Sequence, residues 1–179
     1  LWEHYDRWWA SHIDAFDDAS SLNHGWNPPA IILSQTIAGV SPVAPGWSTY
    51  RVLPKEAFLK AIKVVVPTIK GSVTVDMKKT ASQYALNLTS PGDTTAIVGI
   101  PKGSFSKLNA IKVNNTTIWN GSYRGGLAGI TWNGEDENYV KFNAAPGKWK
   151  FLGLGTLPLT SPKPLPLPPE KQTPLDKKS

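Results

Sequence analysis

Residues 72–77, Ser-Val-Thr-Val-Asp-Met, alternate strictly between polar and apolar side chains, and this stretch decides the fold class. A period of two places Val73, Val75 and Met77 on one face of an extended strand. After a polar turn at residues 78–82, the run Tyr-Ala-Leu-Asn-Leu at residues 84–88 repeats the pattern. The two runs therefore predict two successive strands, each with one buried face.

The same pattern of short strand-like runs, separated by turn residues, continues over residues 48–151. Turn-forming Gly, Pro, Asn and Asp separate further short runs of strand-like composition. These runs are residues 49–53, 61–66, 95–100, 110–113, 116–119, 139–142 and 148–151. About nine short strands in roughly a hundred residues, with no helical pattern between them, predict a mainly β fold, an antiparallel β-sandwich.

The residues that precede the sandwich carry a helical pattern. Apolar and aromatic side chains recur at steps of three and four over residues 1–16, which predicts an amphipathic helix. A polar loop follows at residues 17–25. The dipeptide Pro28-Pro29 suits the first turn of a second helix, because the N–H groups of that turn have no helical partner. Gly39 fits the left-handed position at the end of that helix.

Two helices are too few to cover this tryptophan-rich helical face. Burying one large aromatic side chain is worth roughly 2–3 kcal/mol, so the first helix must pack against other apolar surface. The helices either dock on the sandwich or pack against helices that this chain lacks. Because the chain begins at Leu1 inside the predicted helix, we favour the second interpretation and expect a larger working protein.

The C-terminal stretch has a third kind of composition. Seven prolines lie in residues 154–179, which favours polyproline II structure and does not build a core. The predicted organisation is therefore terminal helices of a helical barrel at residues 1–47, a β-sandwich at 48–153 and a Pro-rich tail at 154–179.

Composition excludes several functional classes. The 179 residues contain no Cys and three His, which rules out a disulfide scaffold, a thiolate metal cluster and a Cys nucleophile, and argues against a zinc site. The acidic run at residues 135–137 lacks the ligand spacing of a calcium loop. We expect neither a metal nor a cofactor. No run of about 18 apolar residues exists, so no membrane partner is expected.

The net charge of +6 is not distributed in the way that is typical of nucleic-acid-binding proteins. Such binding favours basic residues clustered on one element, whereas the lysines here are scattered singly along the predicted strands and only three residues are Arg. We therefore predict no nucleic-acid partner and interpret the charge as that of a solvated surface.

Four motifs near the N-terminus resemble a known family. They are Trp-Glu-His-Tyr at residues 2–5, Ser-Ser-Leu-Asn-His-Gly-Trp at 20–26, Thr-Ile-Ala-Gly-Val at 36–40 and Ala-Pro-Gly-Trp at 44–47. Their order and spacing are similar to the C-terminal part of the bacterial and fungal α-L-rhamnosidases, a glycoside hydrolase family. That resemblance implies the end of an (α/α)6 barrel followed by a C-terminal β-sandwich, and it extends over roughly residues 1–151.

The resemblance also implies roles for two residues. Glu3 matches the general base of these inverting enzymes, which deprotonates the water that attacks the anomeric carbon. His24 matches a residue that hydrogen-bonds the bound sugar. The family's general acid lies upstream of the part that this chain contains, and Asp6, three residues after Glu3, is too close to serve as the opposing carboxyl. The chain alone therefore supplies the base without the acid.

Two functional hypotheses follow. In the first, the chain is the C-terminal portion of an inverting α-L-rhamnosidase, inactive without the rest of the barrel, whose partners are that barrel and a rhamnosylated glycan. In the second, it is a stand-alone, non-catalytic carbohydrate-binding or interaction protein. Under the second hypothesis, Glu3 is an acidic residue that is favourable in the first turn of a helix.

Four N-glycosylation sequons begin at Asn87, Asn114, Asn115 and Asn120. Three of them cluster in one turn-rich segment, which indicates a secreted, extracellular glycoprotein. The abundance of Asn and Thr in β-turns is the competing explanation.

Overall fold

A computed structural model describes residues 32–55, 59–80 and 82–156. Within them, eleven strands follow one π-helical turn, Ile32–Ile37. In chain order the strands are β1 (Val40–Pro42), β2 (Thr49–Val52), β3 (Ala61–Thr68), β4 (Gly71–Lys79), β5 (Gln83–Ser90), β6 (Thr95–Pro101), β7 (Lys107–Val113), β8 (Thr116–Trp119), β9 (Ile130–Glu135), β10 (Tyr139–Ala144) and β11 (Gly147–Thr156).

The strands form two sheets. Sheet A has the order β1-β2-β6-β10-β9, and sheet B has the order β3-β4-β5-β11-β7-β8. Every pairing is antiparallel except that of β2 with β6, which is parallel. Pro42 and Pro67 lie in the edge strands β1 and β3, where a missing N–H disturbs the ladder least. The prediction of a mainly β, sandwich-like fold is confirmed.

One hydrophobic core lies between the sheets, as the alternation of side chains requires. Val73, Val75 and Met77 of β4 are fully buried, in agreement with the pattern of residues 72–77. In sheet A, the alternate residues Val140 and Phe142 of β10 are fully buried as well. Further aromatic rings extend this core toward its rim, where the rings of Tyr123 and Trp132 stack with their centroids 5.5 Å apart. The aromatic side chains of the sandwich therefore pack chiefly against one another.

A buried hydrogen-bond chain links the two sheets. The Tyr50 hydroxyl on β2 donates to the Ser90 hydroxyl at the end of β5, at 2.6 Å. The Ser90 oxygen lies 3.0 Å from the Thr94 hydroxyl, which donates to the Pro91 carbonyl. Burial raises the pKa of Tyr50, and the hydrogen bonds to Ser90 and Thr94 oppose this effect. The phenol therefore stays neutral and bridges the sheets.

All nine predicted strands are present, and two strands were missed. Strand β1 has only three residues, and β9 carries mostly exposed side chains, so neither shows an alternating apolar pattern. The sheets also extend beyond the predicted sandwich range of residues 48–153, since β1 begins at Val40 and β11 ends at Thr156. The division into three parts otherwise stays a prediction.

The predicted helices are not confirmed. The helix at residues 1–16 and the Pro-rich tail from residue 157 onward lie outside the described residues. The described part of the second helix is the single π-helical turn, closed by the bond from Ala38 N–H to the Leu33 carbonyl. Gly39 follows it with φ +71°, the left-handed conformation that the sequence predicted. In the described parts of the chain, no helix is long and apolar enough to span a membrane.

Replacing the bridging phenol tests how the sheets are linked. We expect Tyr50→Phe to lower the free energy of unfolding by about 1 kcal/mol at pH 7, because one buried hydrogen bond is lost. Because the pKa of Tyr50 is raised above 10.0 in the folded protein, the buried neutral phenol contributes its full stability below pH 10. This contribution is lost as the pH rises through the pKa of the folded state, since the phenol ionises first in the unfolded chain. The stability difference from wild type should therefore shrink above pH 10 in urea unfolding experiments.

Ser90→Ala is the matched control for this experiment. It removes the same hydrogen bond but keeps the phenol, so it should retain the alkaline loss of stability. A Tyr50→Phe difference that stays constant from pH 7 to pH 11 would contradict burial of the phenol, and a Ser90→Ala variant as stable as wild type at pH 7 would contradict the bridge.

Candidate functional site

The described part of the chain forms a cleft of about 670 Å³ at one end of sheet A. The π-helical turn contributes Gln35 and Thr36 to one wall, and the turn between β9 and β10 contributes Asp136 and Asn138 to another. The remaining lining residues are Gly39, Arg51, Leu53, Pro54, Lys55, Lys79, Pro101, Gly103, Ser104 and Tyr139. The cleft therefore lies where the chain enters the sandwich.

Residues 53–55 form one side of the cleft and are held by backbone hydrogen bonds. The Leu53 N–H donates to the Gly39 carbonyl and the Lys55 N–H to the Ile37 carbonyl, both at 3.1 Å. The two chain segments approach so closely at Gly39 that a Cβ atom there would clash with the backbone of Leu53 and Pro54. This crossing requires glycine both for its positive φ and for its small size.

Tyr139 fastens the same segment to the outer face of sheet A. Its hydroxyl lies 3.0 Å from the Pro54 carbonyl and 3.3 Å from the Leu53 carbonyl. Gly99 of β6 lies beneath the Leu53 and Tyr139 side chains, and a Cβ atom at this position would be 2.9 Å from Tyr139 Cδ1. The absence of a side chain at residue 99 therefore lets residues 53–55 lie flat on the sheet.

Asp136 orders the opposite wall through its carboxylate. Its Oδ1 accepts hydrogen bonds from the N–H groups of Asn138 and Tyr139, at 2.8 and 2.7 Å. Its Oδ2 lies 2.9 Å from Lys141 Nζ. The hydrogen bond from Lys141, followed by that from the Tyr139 N–H, lowers the pKa of Asp136. This carboxylate is thus ionised at neutral pH and has a structural task in the turn.

The described residues that line the cleft do not include a pair of opposed carboxyl groups. Glycoside hydrolysis uses two carboxyl groups on either side of the scissile bond, one of them protonated. Asp136 is the single acidic residue among the described residues that line the cleft, and its oxygens already bind Lys141 and the turn. The described residues also contain no group of three or more His, Cys, Asp or Glu side chains that could hold a metal ion.

The predicted catalytic residues cannot be placed. Glu3 and His24 both lie outside the described residues, so their proposed roles stay predictions.

The four sequon asparagines are all exposed in the described part of the chain. Asn87 lies on β5, whereas Asn114 and Asn115 form the turn between β7 and β8 with φ of 45° and 73°. The Asn114 and Asn120 side chains accept hydrogen bonds through Oδ1, from the Lys150 N–H and from Arg124 Nε respectively. Their exposure meets one condition for N-glycosylation, which is access of the asparagine side chain from solvent.

Comparisons with known proteins show what this domain is similar to. Residues 39–113 match the family model described as the bacterial alpha-L-rhamnosidase C-terminal domain. The matched residues include strands β1 to β7 of the sandwich, so the similarity concerns the β-sandwich domain. The predicted resemblance to the C-terminal segment of the α-L-rhamnosidases is thereby confirmed. Comparison with curated proteins gives no match.

Two solved structures show the similarity in three dimensions. The α-L-rhamnosidase from Dictyoglumus thermophilum is 26% identical with a TM-score of 0.56, over 68% of this chain and 13% of that chain. The Streptomyces avermitilis α-L-rhamnosidase, complexed with L-rhamnose, is 17% identical with a TM-score of 0.52, over 67% of this chain and 10% of that chain. The second similarity concerns the fold alone. The present chain thus spans a small fraction of either protein.

Sequence reasoning missed the cleft. Of its key residues, Tyr139 was predicted as part of a strand, and Gly99 gave no sign that a second segment crosses the sheet there. The one available signal was Gly39 itself, which was predicted to end a helix and also admits Leu53.

Crowding at Gly99 gives a test of how the cleft is built. We expect Gly99→Ala to lower the free energy of unfolding by about 1–3 kcal/mol, because the added methyl group displaces Leu53 and Tyr139. Gly103→Ala is the matched control in the same cleft, since a Cβ atom there meets nothing within 4 Å. Its stability should stay within about 0.5 kcal/mol of wild type in urea unfolding. Equal effects of the two substitutions would refute the crossing as described.

Proposed function

We propose that this chain is the C-terminal portion of an inverting α-L-rhamnosidase and completes that enzyme's active site from its N-terminal residues. The observation that carries the proposal is the match of residues 39–113 to the rhamnosidase C-terminal domain, supported by the 26% identical structure. The enzyme's substrate would be a glycan or glycoside with a terminal α-L-rhamnose.

In this proposal, the chain supplies one of the two carboxyl groups that the reaction needs. Glu3 takes a proton from water while the water oxygen forms a bond to the anomeric carbon. A carboxylic acid from the rest of the enzyme protonates the leaving oxygen as the glycosidic bond breaks. The two carboxyl groups must be roughly 6.5–9.5 Å apart to leave room for the water. His24 donates a hydrogen bond to, or accepts one from, a sugar hydroxyl.

The rest of the parent enzyme is the first partner that this proposal requires. The known structures contain about eight to ten times the length that this chain matches, as the coverages of 13% and 10% imply. The cleft supports such a partner, because one of its walls is the π-helical turn to which residues 1–31 are directly joined. Mass spectrometry of native material should find the remaining polypeptide co-purifying with this chain.

Replacing the proposed base tests the catalytic role. In the complete enzyme, we expect Glu3→Gln to reduce kcat by roughly 10²–10⁴-fold, the usual contribution of a positioned proton-transfer group. Asp6→Asn is the control, because it changes an acidic residue three positions away that has no assigned proton transfer. The readout is release of rhamnose from an aryl α-L-rhamnoside.

If Glu3→Gln leaves turnover intact, the chain serves as structural packing for the catalytic domain. The alternative of a stand-alone carbohydrate-binding protein makes a different prediction. The 179-residue chain alone would then release heat with rhamnose in calorimetry and would need no second polypeptide.

We also propose that the protein is secreted and glycosylated, on the strength of its four exposed sequons. Enzymatic removal of N-glycans from native protein should reduce its mass, and the deglycosylated asparagines should appear as aspartates in peptide mapping. Asn120→Gln should remove one glycan without affecting folding, since Asn120 is exposed. Native protein whose mass equals that of the bare chain would contradict secretion through a glycosylating pathway.

A further inference from the structure

The outer face of sheet B collects lysines that are far apart in the sequence. They lie on four different strands and all point away from the core, as the alternation of buried and exposed residues requires. They are Lys63 on β3, Lys78 on β4, Lys112 on β7, and Lys148 and Lys150 on β11. We call this set the lysine face.

Strand register places these lysines in two rows across the sheet. In the first row, Lys63 pairs with Asp76, Asp76 with Asn87 and Asn87 with Lys150. In the second row, Lys78 pairs with Ala85, Ala85 with Leu152 and Leu152 with Lys112. Each of these sets of four paired residues thus begins and ends with a lysine.

The spacing of these charges follows from sheet geometry. Neighbouring strands are about 4.8 Å apart, so the two lysines of one row are about 14 Å apart. Lys148 and Lys150 are two residues apart on β11, which corresponds to about 7 Å. The result is a flat array of positive charges with regular spacing.

Little on this face neutralises the array. Among the described residues of the face, Asp76 is the one acidic side chain, and the five lysines make no ion pair within the described part of the chain. Lys63, Lys78, Lys148 and Lys150 are exposed, and Lys112 is half-buried. A face with five cations and one anion attracts polyanions and is complementary to them.

We infer that the lysine face binds an extended carboxylated polysaccharide, that is, a chain of uronic acids. The inference rests on the proposed function in one respect: a glycoside hydrolase domain meets glycan chains. Lysines are compact point charges that suit single carboxylates, whereas bidentate phosphate recognition favours arginine. Single-stranded nucleic acids are bound through stacking on aromatic rings. The face has neither Arg nor aromatic side chains among its outward-pointing described residues, so it favours the glycan.

Binding to polygalacturonate tests this inference directly. The 179-residue chain, produced in bacteria and therefore free of N-glycans, should bind polygalacturonate in calorimetry at low salt. The affinity should fall steeply with added NaCl, because exposed charges are screened. Lys148→Gln/Lys150→Gln should weaken the binding roughly 2- to 30-fold, the effect of losing two exposed ion pairs.

The control variant removes the same charge elsewhere. Lys70→Gln/Arg124→Gln neutralises two exposed cations outside the lysine face and should leave the affinity unchanged within about twofold. Equal weakening by both double variants would show that only the net charge matters and would overturn the inference. Tighter binding of duplex DNA than of polygalacturonate would overturn it as well, in favour of a nucleic-acid surface.

Chemical acetylation of lysines provides a second measurement. Lys63, Lys78, Lys148 and Lys150 should react in the free chain and be protected by polygalacturonate but not by an uncharged arabinan. Protection of these lysines in the free chain would show that other parts of the protein cover the face, and would contradict the inference.

Asn87 connects this inference to glycosylation, since it lies between Asp76 and Lys150 in the first row. An N-glycan on Asn87 would cover the lysine face, so native protein should carry no glycan there, and an occupied Asn87 would overturn the inference. Polygalacturonate binding and lysine acetylation are both measured independently of rhamnoside turnover. Failure to bind polygalacturonate therefore leaves the role of Glu3 intact, and an inactive Glu3 leaves the lysine face intact.

Discussion

The parallel pairing of β2 with β6 is the constraint on which the arrangement of this domain depends. Parallel neighbours need a crossover connection, and here the crossover consists of β3, β4 and β5, which belong to the other sheet. The chain therefore leaves sheet A after β2, builds half of sheet B and returns to sheet A as β6. The buried bond from Tyr50 on β2 to Ser90 on β5 lies at the end of this excursion and fastens the two sheets to each other.

The same pairing determines where the cleft forms. The residues that follow β2 cross the outer face of sheet A beside this pairing, and Gly99 leaves room for them. Tyr139 then holds residues 53–55, while backbone bonds to Ile37 and Gly39 tie them to the entering chain. The cleft is thus a consequence of how the chain enters the sandwich.

The sequence predicted those parts of the fold in which burial leaves a periodic trace. Strands such as β4 and β5 alternate because one face is buried, whereas β1 is too short and β9 too exposed to show a period. The candidate sites were less accessible. Glu3 and His24 depend on family resemblance alone, and the lysine face depends on register. Lys63 and Lys150 are 87 positions apart in the sequence, and no local pattern shows that they lie in one row of the sheet.

The two surfaces of the sandwich lie on opposite sides of its core. Residues 53–55 and Tyr139 pack on the outer face of sheet A, whereas the lysines occupy the outer face of sheet B, with the buried side chains of both sheets between them. A domain that attaches to its enzyme through the sheet A side leaves the sheet B side available to solvent. Under the proposed function, its lysines hold a polyanionic chain while the catalytic part of the enzyme acts on rhamnose. Such division of tasks requires no carboxylate pair in the sandwich, and the described residues of the cleft show none.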